Sequence, residues 1–213
     1  MNGTNILIVD DHPLFRRGVR QLLELDPDLQ VAGEARDGNE ALQIAKSLDP
    51  DLILLDLNMR GMGGLETLRR LRAEGVVTRI VVLTVSDSDE DVVAALRAGA
   101  DGYLLKDMEP EQLLELVKQA ALGKMVLSEQ LTSVLASAIS GPQTASADAL
   151  GKLTGRELDM LRCLARGLSN KMIARDLDIT EGTVKVHVKN LLKKLGLRSR
   201  VEAAVWAVNH NIG

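Results

Sequence analysis

The sequence contains very few of the residues that mark disulfide-rich, thiolate-metal or aromatic-lined proteins. Its 213 residues include one Phe, one Tyr, one Trp and one Cys. The single Cys163 excludes an internal disulfide and a cluster of metal-binding thiolates, since either needs a second cysteine. Because 46% of the residues are hydrophobic, the cores must be filled by Leu, Val, Ile, Ala and Met.

Long hydrophobic runs are also missing. No stretch approaches the roughly 18 consecutive apolar residues of a membrane-spanning helix, and Met1 to Asp10 lacks the basic and apolar regions of a targeting segment. These absences predict a cytoplasmic protein without a membrane partner. The length favours two domains, because typical single domains have about 100 to 150 residues.

Charge is divided unevenly along the chain, although the net charge is only −4. Residues 1–122 contain 13 Lys and Arg against 22 Asp and Glu, a net charge of −9, whereas residues 151–213 contain 12 against 6, a net charge of +6. This division indicates that only the C-terminal part approaches nucleic acid. Chance segregation of solvated charges would look the same, so a motif is needed to decide.

Residues 1–122 have the pattern of a doubly wound α/β domain. Short apolar runs without polar alternation are typical of parallel strands covered on both faces, and helical patterns lie between them. The alternation predicts a five-stranded parallel sheet of the flavodoxin-like order 2-1-3-4-5 with helices on both faces. The expected strands are Ile6–Val9, a weaker Gln30–Gly33, Leu52–Leu55, Ile80–Leu83 and Tyr103–Leu105.

The pattern changes after residue 122. A further helix is expected from Val126 to Ile139, followed by a small, polar linker containing Gly and Pro, so residues 123–150 are assigned as helix plus flexible linker. Residues 151–213 are expected to form an all-α domain of four helices. Their predicted ranges are Gly155–Arg166, Asn170–Leu177, Glu181–Leu195 and Ser199–Asn209.

Polar or charged residues follow the strong apolar runs of the first domain, namely Asp10 and Asp11, Asp56, Thr84 and Lys106. Because ligands of an open parallel sheet bind outside the carboxyl ends of its strands, these side chains are expected to converge in one crevice. Carboxylates at close range repel one another unless a hard cation is present, and Mg²⁺ prefers oxygen ligands. The sequence therefore predicts a Mg²⁺ site.

Each of these residues has a structural explanation when it is taken alone. Asp11 can cap the first helix, and Asp56 can be an ordinary loop residue. Thr84 can bond to nearby backbone, and Lys106 can be a solvated charge. Five independent residues at the mouths of four strands favour the functional interpretation for the set.

The runs Val9–Pro13 and Leu54–Met59, with Thr84 and Lys106, resemble the receiver domain of bacterial two-component response regulators over residues 5 to about 122. The resemblance implies that Asp56 accepts a phosphoryl group from a sensor histidine kinase. It also implies the remaining roles: Asp10, Asp11, Asp56 and the main-chain carbonyl of Asn58 hold Mg²⁺, Lys106 pairs with the phosphoryl oxygens, and Thr84 and Tyr103 form the switch.

Two positions depart from the family pattern, which often has Pro where this chain has Arg60 and Asp107. The loop after Asp56 is then less constrained, and a cis bond after Lys106 is in doubt. An alternative is a Mg²⁺-dependent phosphatase of the haloacid dehalogenase type, which also uses a strand-end Asp. That chemistry needs a second carboxylate two residues later, where Asn58 stands, so we expect a regulator and not an enzyme.

The C-terminal segment carries helix-start signals around a tight turn. Thr154 and Glu157 form a candidate capping box, and Ser169 is a candidate cap for the next helix. A short helix, a tight turn and a second helix give helix-turn-helix spacing. On the following helix an inward apolar stripe is expected, and the outward side chains are Lys185, His187, Lys189, Lys193 and Lys194. An isolated lysine-rich face is usually only solvated.

In this context, Leu153–Glu157, Gly167–Lys171 and Thr183–His187 resemble the LuxR and FixJ type of DNA-binding module over nearly all of residues 151–213. The resemblance implies that Glu181–Leu195 is the recognition helix in the major groove of double-stranded DNA. Base edges would then face Lys185, Val186 and Lys189, while phosphates would contact Ser169, Asn170, Lys171 and Thr183.

Three segments resemble the nitrate/nitrite-responsive subgroup of these regulators: Ala100–Pro110, Asn170–Arg175 and Ser199–Trp206. A receiver does not sense an anion directly, so any such signal would reach the chain through its kinase. A DNA binder controlled by a small ligand or by a partner protein is the alternative.

The last helix carries Val201, Ala204, Val205 and Val208, with Trp206 near its middle. This face either closes the core of the small domain or pairs two domains on inverted half-sites, and both roles can coexist. We expect a homodimer on DNA, with RNA polymerase as a further candidate partner. The opposite charges of the domains predict that the receiver masks the DNA-binding surface until Asp56 is phosphorylated.

Overall fold

The structure is a computed structural model, which describes residues 3–127, 151, 153–210 and 212. Among these residues, no helix is both long and apolar enough to span a membrane. Peptide bonds are all trans in the described part, including the bond between Lys106 and Asp107.

One parallel sheet organises the N-terminal domain. Its strands lie in the order β2-β1-β3-β4-β5-β6, which confirms the predicted order 2-1-3-4-5 of the five main strands. Every residue of β3 and β4 is buried, as their uninterrupted apolar runs indicated. The strands are β1 (Thr4–Val9), β2 (Leu29–Ala35), β3 (Leu52–Leu55), β4 (Arg79–Thr84), β5 (Gly102–Leu105) and β6 (Val126–Leu127).

The short strand β6 corrects one expectation. The helix predicted to begin at Val126 is wrong at its first two residues, which pair with β5 through Gly102 and Tyr103. Val126 packs so closely on Gly102 that a Cβ there would lie 2.7 Å from Val126 Cγ2. The rest of that predicted helix and the predicted linker lie outside the described residues.

Helices cover both faces of the sheet, as expected for a doubly wound domain. Alternate residues of β1 and β3 point to opposite faces, so that Leu7 and Ile53 belong to one core while Ile6 and Leu52 belong to the other. The helices are α1 (Pro13–Leu23), α2 (Gly38–Leu48), α3 (Gly64–Ala73), α4 (Asp89–Arg97) and α5 (Pro110–Ala121).

The C-terminal domain encloses a third core with four helices in its described residues, as predicted. Thr154 and Glu157 form the expected capping box at the start of the first of them, and Ser169 caps the second. The ranges are α6 (Gly155–Ala165), α7 (Asn170–Asp176), α8 (Glu181–Leu195) and α9 (Arg200–Asn209).

The last helix, α9, was expected either to close the core of its domain or to pair two domains. Ala203, Trp206 and Ala207 are the apolar residues of α9 buried in the core. Val208 is 63% exposed instead. Val201, Ala204 and Val205 are partly buried, and with Val208 they line a cavity that Arg79, Gly123 and Met125 of the receiver close on the other side.

Candidate functional site

Parallel pairing brings the predicted acidic residues together at one edge of the sheet. Asp10 and Asp56 directly follow β1 and β3, whose last residues are paired, and both carboxylates are buried. Carboxylate oxygens of Asp10, Asp11 and Asp56 and a ring nitrogen of His12 lie within 4.8 Å of one another. Lys106 Nζ lies 2.6 Å from Asp10 Oδ2 and 2.7 Å from Asp56 Oδ2. One ammonium group thus bridges two buried carboxylates.

The donor set of this cluster suits a hard divalent cation. Asp11 Oδ1 is buried and accepts no hydrogen bond from the described residues, although His12 Nδ1 lies 2.9 Å away. A buried carboxylate oxygen without a donor is costly. Three carboxylates facing the single ammonium of Lys106 also leave excess negative charge. These oxygens fit Mg²⁺, which prefers carboxylate and carbonyl ligands.

Thr84 reaches the cluster through Asn58. The main-chain N–H of Asn58 donates to Asp56 Oδ1 at 3.2 Å, and its side-chain amide donates to Thr84 Oγ1 at 3.2 Å. Thr84 is fully buried at the end of β4. Its hydroxyl is therefore one residue removed from the Asp56 carboxylate.

Tyr103 extends this network away from the carboxylates. Its ring is fully buried on β5, and its hydroxyl donates to the carbonyl of Ser86 at 2.9 Å. The main-chain N–H of Ser86 donates in turn to Thr84 Oγ1 at 3.4 Å. Burial raises the pKa of Tyr103 to about 12, so its hydroxyl remains a donor. Thr84, Ser86 and Tyr103 thus link the acidic cluster to the loop before α4.

Two contributors to this site were not predicted. A Cβ at Gly64 would lie 1.9 Å from the main-chain oxygen of Asp56, so only glycine lets α3 start against that residue. The glycine-rich run at residues 61–64 was the available signal. Phe15 places its ring centroid 4.6 Å from Lys106 Nζ, a cation–π contact for which one phenylalanine gives no pattern.

On the candidate recognition helix α8, the structure separates the three predicted base-contacting side chains. Val186 is 58% exposed, and Lys189 is exposed. The Lys185 side chain is only 13% exposed, because its Nζ lies 2.9 Å from both the main-chain oxygen and Oδ2 of Asp49 on the receiver. Asp51 Oδ1 is 4.0 Å from the same ammonium. The opposite charges of the domains predicted that they meet, but no sequence pattern indicated this pair of residues.

The predicted phosphate-contacting residues fall into two groups. Ser169 caps α7, and Thr183 lies in the first turn of α8, where its hydroxyl is 2.9 Å from that of Thr180. Lys171 follows on α7 and is partly buried. Asn170 is buried, and its Oδ1 accepts from Arg200 Nη1 at 3.2 Å. The structure therefore does not place Asn170 with the other three at the surface.

The turn before α7 also packs against the receiver. A Cβ at Gly123, which follows α5, would lie 2.2 Å from the carbonyl oxygen of Gly167 and 2.8 Å from the main-chain nitrogen of Ser169. Together with the Lys185 contact, this close approach holds the DNA-binding module on the receiver at two separate points.

Comparison with known proteins agrees with this geometry. The model of the response regulator receiver domain matches residues 6–118, and the model of bacterial regulatory proteins of the luxR family matches residues 151–207. The nitrate/nitrite response regulator protein NarL of Escherichia coli K12 is 59% identical over 207 residues, covering 97% of this chain and 96% of NarL.

Two further similarities extend over almost the whole length. The nitrate/nitrite response regulator protein NarP of E. coli K12 is 56% identical and covers 94% of this chain and 92% of its own. The crystal structure of ChrA, the response regulator of a heme-sensing two-component system, has 32% identity and a TM-score of 0.53, with full coverage of both chains. The chain therefore belongs to the two-component response regulators with a LuxR-type DNA-binding domain, which regulate transcription and are not enzymes.

Proposed function

We propose that the chain regulates transcription when a sensor histidine kinase phosphorylates Asp56. The observation that carries this proposal is the buried Asp56 carboxylate, joined by Lys106 to Asp10 at the end of β3. A carboxylate oxygen of Asp56 attacks the phosphorus of the kinase phosphohistidine. The new O–P bond forms as the P–N bond breaks, and the electron pair of that bond returns to the imidazole.

The remaining residues of the cluster assist this transfer. Lys106 is already within contact of the accepting carboxylate, so its ammonium offsets the charge that arrives with the phosphoryl group. Asp10, Asp11, Asp56 and the main-chain carbonyl of Asn58 would hold Mg²⁺. Bound there, the ion supplies positive charge beside the transferring phosphoryl oxygens.

The network from Thr84 to Tyr103 connects phosphorylation to the receiver surface. The Thr84 oxygen accepts hydrogen bonds from Asn58 and Ser86. Phosphoryl oxygens on Asp56 give the Thr84 O–H a charged acceptor that draws the side chain toward Asp56. Movement of Thr84 disturbs Ser86, whose carbonyl holds the Tyr103 hydroxyl. The loop before α4 is therefore the segment that changes with phosphorylation.

DNA recognition is assigned to α8, with Lys185, Val186 and Lys189 at the base edges. Lysine donates to guanine O6 and N7, and Val186 can contact a thymine methyl group. Ser169, Lys171 and Thr183 then hold phosphates, and Asn170 can join them only after it releases Arg200. Lys189→Ala should relax base preference and cost about 1 to 3 kcal/mol on the best site, whereas Lys171→Ala should weaken all sequences alike. Selection from a random duplex library distinguishes the two outcomes.

The receiver keeps this surface masked in the unphosphorylated chain. Lys185 cannot meet a base edge while its ammonium is bound to Asp49. After release, two chains pair on DNA through the valine face of α9, where Val208 is largely exposed. RNA polymerase is the further partner that such a regulator meets at a promoter.

The signal is assigned to nitrate or nitrite, because NarL and NarP, the nitrate/nitrite response regulators, are 59% and 56% identical to this chain. A phosphorylated nitrate sensor kinase should then transfer its phosphoryl group to this chain faster than an unrelated sensor kinase does. Equal rates of transfer from both kinases would contradict the assignment of the signal without affecting that of Asp56.

Incubation of the full chain with acetyl phosphate and Mg²⁺ tests the acceptor. Mass spectrometry should find one acid-labile phosphate, and Asp56→Asn should abolish it while the circular dichroism spectrum stays unchanged. Asp28→Asn, which removes the same charge from an exposed turn, should label as the wild type does. Equal labelling of the Asp56 variant would reject this acceptor.

A further inference from the structure

A large cleft separates the recognition helix from the receiver beside the Lys185 contact. Its volume is about 1000 Å³, and its walls come from the end of α3 and the turn after it, from the end of α4, and from the second half of α8. This volume is at the upper end of the range of small-molecule sites, about 300 to 1000 Å³.

Positive charge dominates the walls. Five cationic side chains of the lining make no ion pair with a carboxylate among the described residues. They are Arg69, Arg97, Lys189, Lys193 and Arg198. Arg72 also lines the cleft, but Asp101 neutralises it at 2.7 Å. Glu74 is the one acidic residue of the described lining, and its carboxylate lies 3.1 Å from Lys46 Nζ. The cleft is therefore strongly basic although the receiver as a whole is acidic.

The contact between the domains brings like charges together. Arg198 Nη1 donates to the main-chain oxygen of Arg97 at 2.6 Å, so the guanidinium of Arg198 lies at the C-terminal end of α4, on the same side of the cleft boundary as the residue that carries the Arg97 cation. Lys189 lies over Gly75, where a Cβ would be 2.4 Å from Lys189 Cε. The repulsion among these cations opposes the closed arrangement, and the low-dielectric walls of a cleft strengthen the field between them.

We propose that this cleft binds a compact anion that carries a chain of two or three phosphates and thereby stabilises the contact between the domains. Guanidinium groups bind phosphate oxygens through paired hydrogen bonds, and ammonium groups bind them as point charges. A multivalent anion can bridge both walls, whereas a chloride ion cannot. Once bound, it occupies Lys189 and Lys193, so the closed chain gains a second control that needs neither phosphorylation of Asp56 nor a sensor kinase.

Calorimetric titration of the full, unphosphorylated chain with inorganic tripolyphosphate, at constant ionic strength and with EDTA present, tests this site. We expect one saturable site that Arg69→Ser/Arg97→Ser weakens by at least about tenfold, because both lost guanidinium groups contact the anion. Lys193→Ser, on the opposite wall, should weaken it as well. The matched control Arg17→Ser/Arg36→Ser removes two exposed receiver arginines outside the cleft and should change binding by less than about twofold.

Two nucleotides identify the source of the phosphate. If ATP binds as tightly as tripolyphosphate, the cleft recognises phosphate charge alone. If ATP binds more tightly, the ligand of the cleft is a nucleotide. Either result supports the site. AMP binding as tightly as tripolyphosphate would contradict it, because AMP lacks the phosphate chain. Absence of saturable binding, or equal losses in the cleft and control variants, would overturn the proposal. These readouts use neither DNA nor phosphotransfer, so they remain separate from the proposed function.

Discussion

Asp49 shows how one residue can end a helix and contact another domain. It closes α2 in the left-handed conformation, with φ of 46°, which Asp and Asn adopt more readily than most residues. In this conformation its main-chain oxygen and its carboxylate both lie 2.9 Å from Lys185 Nζ. A side chain expected at the base edges is therefore held by two acceptors of the receiver.

Replacing Asp49 with Asn separates these two acceptors. Asn tolerates the left-handed conformation and keeps the main-chain oxygen, so only the ion pair is lost. Asp49 is 66% exposed, and exposed ion pairs contribute about 0.2 to 1 kcal/mol. The unphosphorylated full chain should therefore bind DNA more tightly, by at most about fivefold.

Fluorescence anisotropy at low salt measures this change on a duplex selected with the phosphorylated chain. Asp28→Asn, which removes an equal charge that makes no ion pair with α8 among the described residues, is the control and should leave the affinity unchanged. If Asp49→Asn also has no effect, the ion pair does not contribute to masking.

Some residues of the site could be predicted from the sequence, and others could not. The convergence of Asp10, Asp56 and Lys106 could be predicted, because the ends of neighbouring parallel strands meet at one edge of a sheet. The contact between Lys185 and Asp49 could not be, since the two residues are 136 positions apart and no periodicity relates a helix end to another domain. The burial of Arg79 could not be predicted either. Its guanidinium donates to the carbonyls of Ala120 and Lys124, at and after the end of α5, and the sequence does not show that these distant carbonyls lie beside it.

At the scale of whole elements, strong patterns gave correct boundaries and weak ones did not. β3 and α8 begin and end where predicted, at Leu52–Leu55 and Glu181–Leu195, because an uninterrupted apolar run and a capped amphipathic helix have clear limits. β2 is longer than predicted, at Leu29–Ala35, because Gly33 and the polar Glu34 interrupt the apolar pattern before its buried last residue. β6 has two residues and therefore no period that a sequence pattern could reveal.

The start of α6 makes the stability of the small domain dependent on pH. Burial acts to raise the pKa of Glu157, but hydrogen bonds from Lys194 and Thr154 outweigh burial and lower the pKa below its ordinary value of 4.5. A carboxylate with a lowered pKa stabilises the folded state above its unfolded pKa, and this stabilisation is lost as the pH falls through the folded value. The free energy of unfolding should therefore decrease below about pH 4.5.

Glu157→Gln should remove this part of the pH dependence and cost about 0.5 to 2 kcal/mol at neutral pH, the usual contribution of a helix cap. Trp206 is the single tryptophan and lies in the core of this domain, so its fluorescence during denaturation reports the unfolding of this domain. The control is Glu181→Gln, which changes an acidic residue in the first turn of α8. Identical pH profiles for wild type and Glu157→Gln would contradict the assignment.

The turn after α5 offers a steric test of the contact between the domains. Alanine at Gly123 would place its Cβ 2.2 Å from the carbonyl oxygen of Gly167, so the DNA-binding module must move away. We expect Gly123→Ala to bind DNA without a phosphate donor. Gly61→Ala is the control, because Gly61 also has a positive φ, 76°, but has open space around it. Should both variants bind as weakly as the wild type, this contact does not maintain the masked state.

At the scale of the whole molecule, net charge predicted that the two domains meet but not all of the contacts between them. The basic domain does meet acidic residues of the receiver, at Asp49 and Asp51. Next to them, however, Lys189 lies over Gly75 and Arg198 beside Arg97, and neither cation makes an ion pair with a carboxylate among the described residues. Attraction and repulsion therefore coexist across the boundary, and the closed and open states differ by less free energy than charges of −9 and +6 suggest.

A small difference between the two states is what a phosphorylation switch requires. Shifting a population from 99:1 closed to 1:99 takes about 5.5 kcal/mol of differential stabilisation. We expect a fragment of residues 148–213 to bind its selected duplex without a phosphate donor, and the full unphosphorylated chain to bind much more weakly at the same salt concentration. Phosphorylation should return the full chain toward the affinity of the fragment.

The ratio of the two affinities measures masking, because both proteins lose phosphate contacts to salt in the same way. Salt screens the Lys185 ion pair, which favours closure, and also the repulsion in the cleft, which opposes it. The ratio should therefore change far less with salt than either affinity does. If net charge alone drove closure, the ratio would instead approach one as the salt concentration rises. If the intact unmodified chain binds as tightly as the fragment at low salt, the receiver does not mask α8, and phosphorylation would act by promoting dimers.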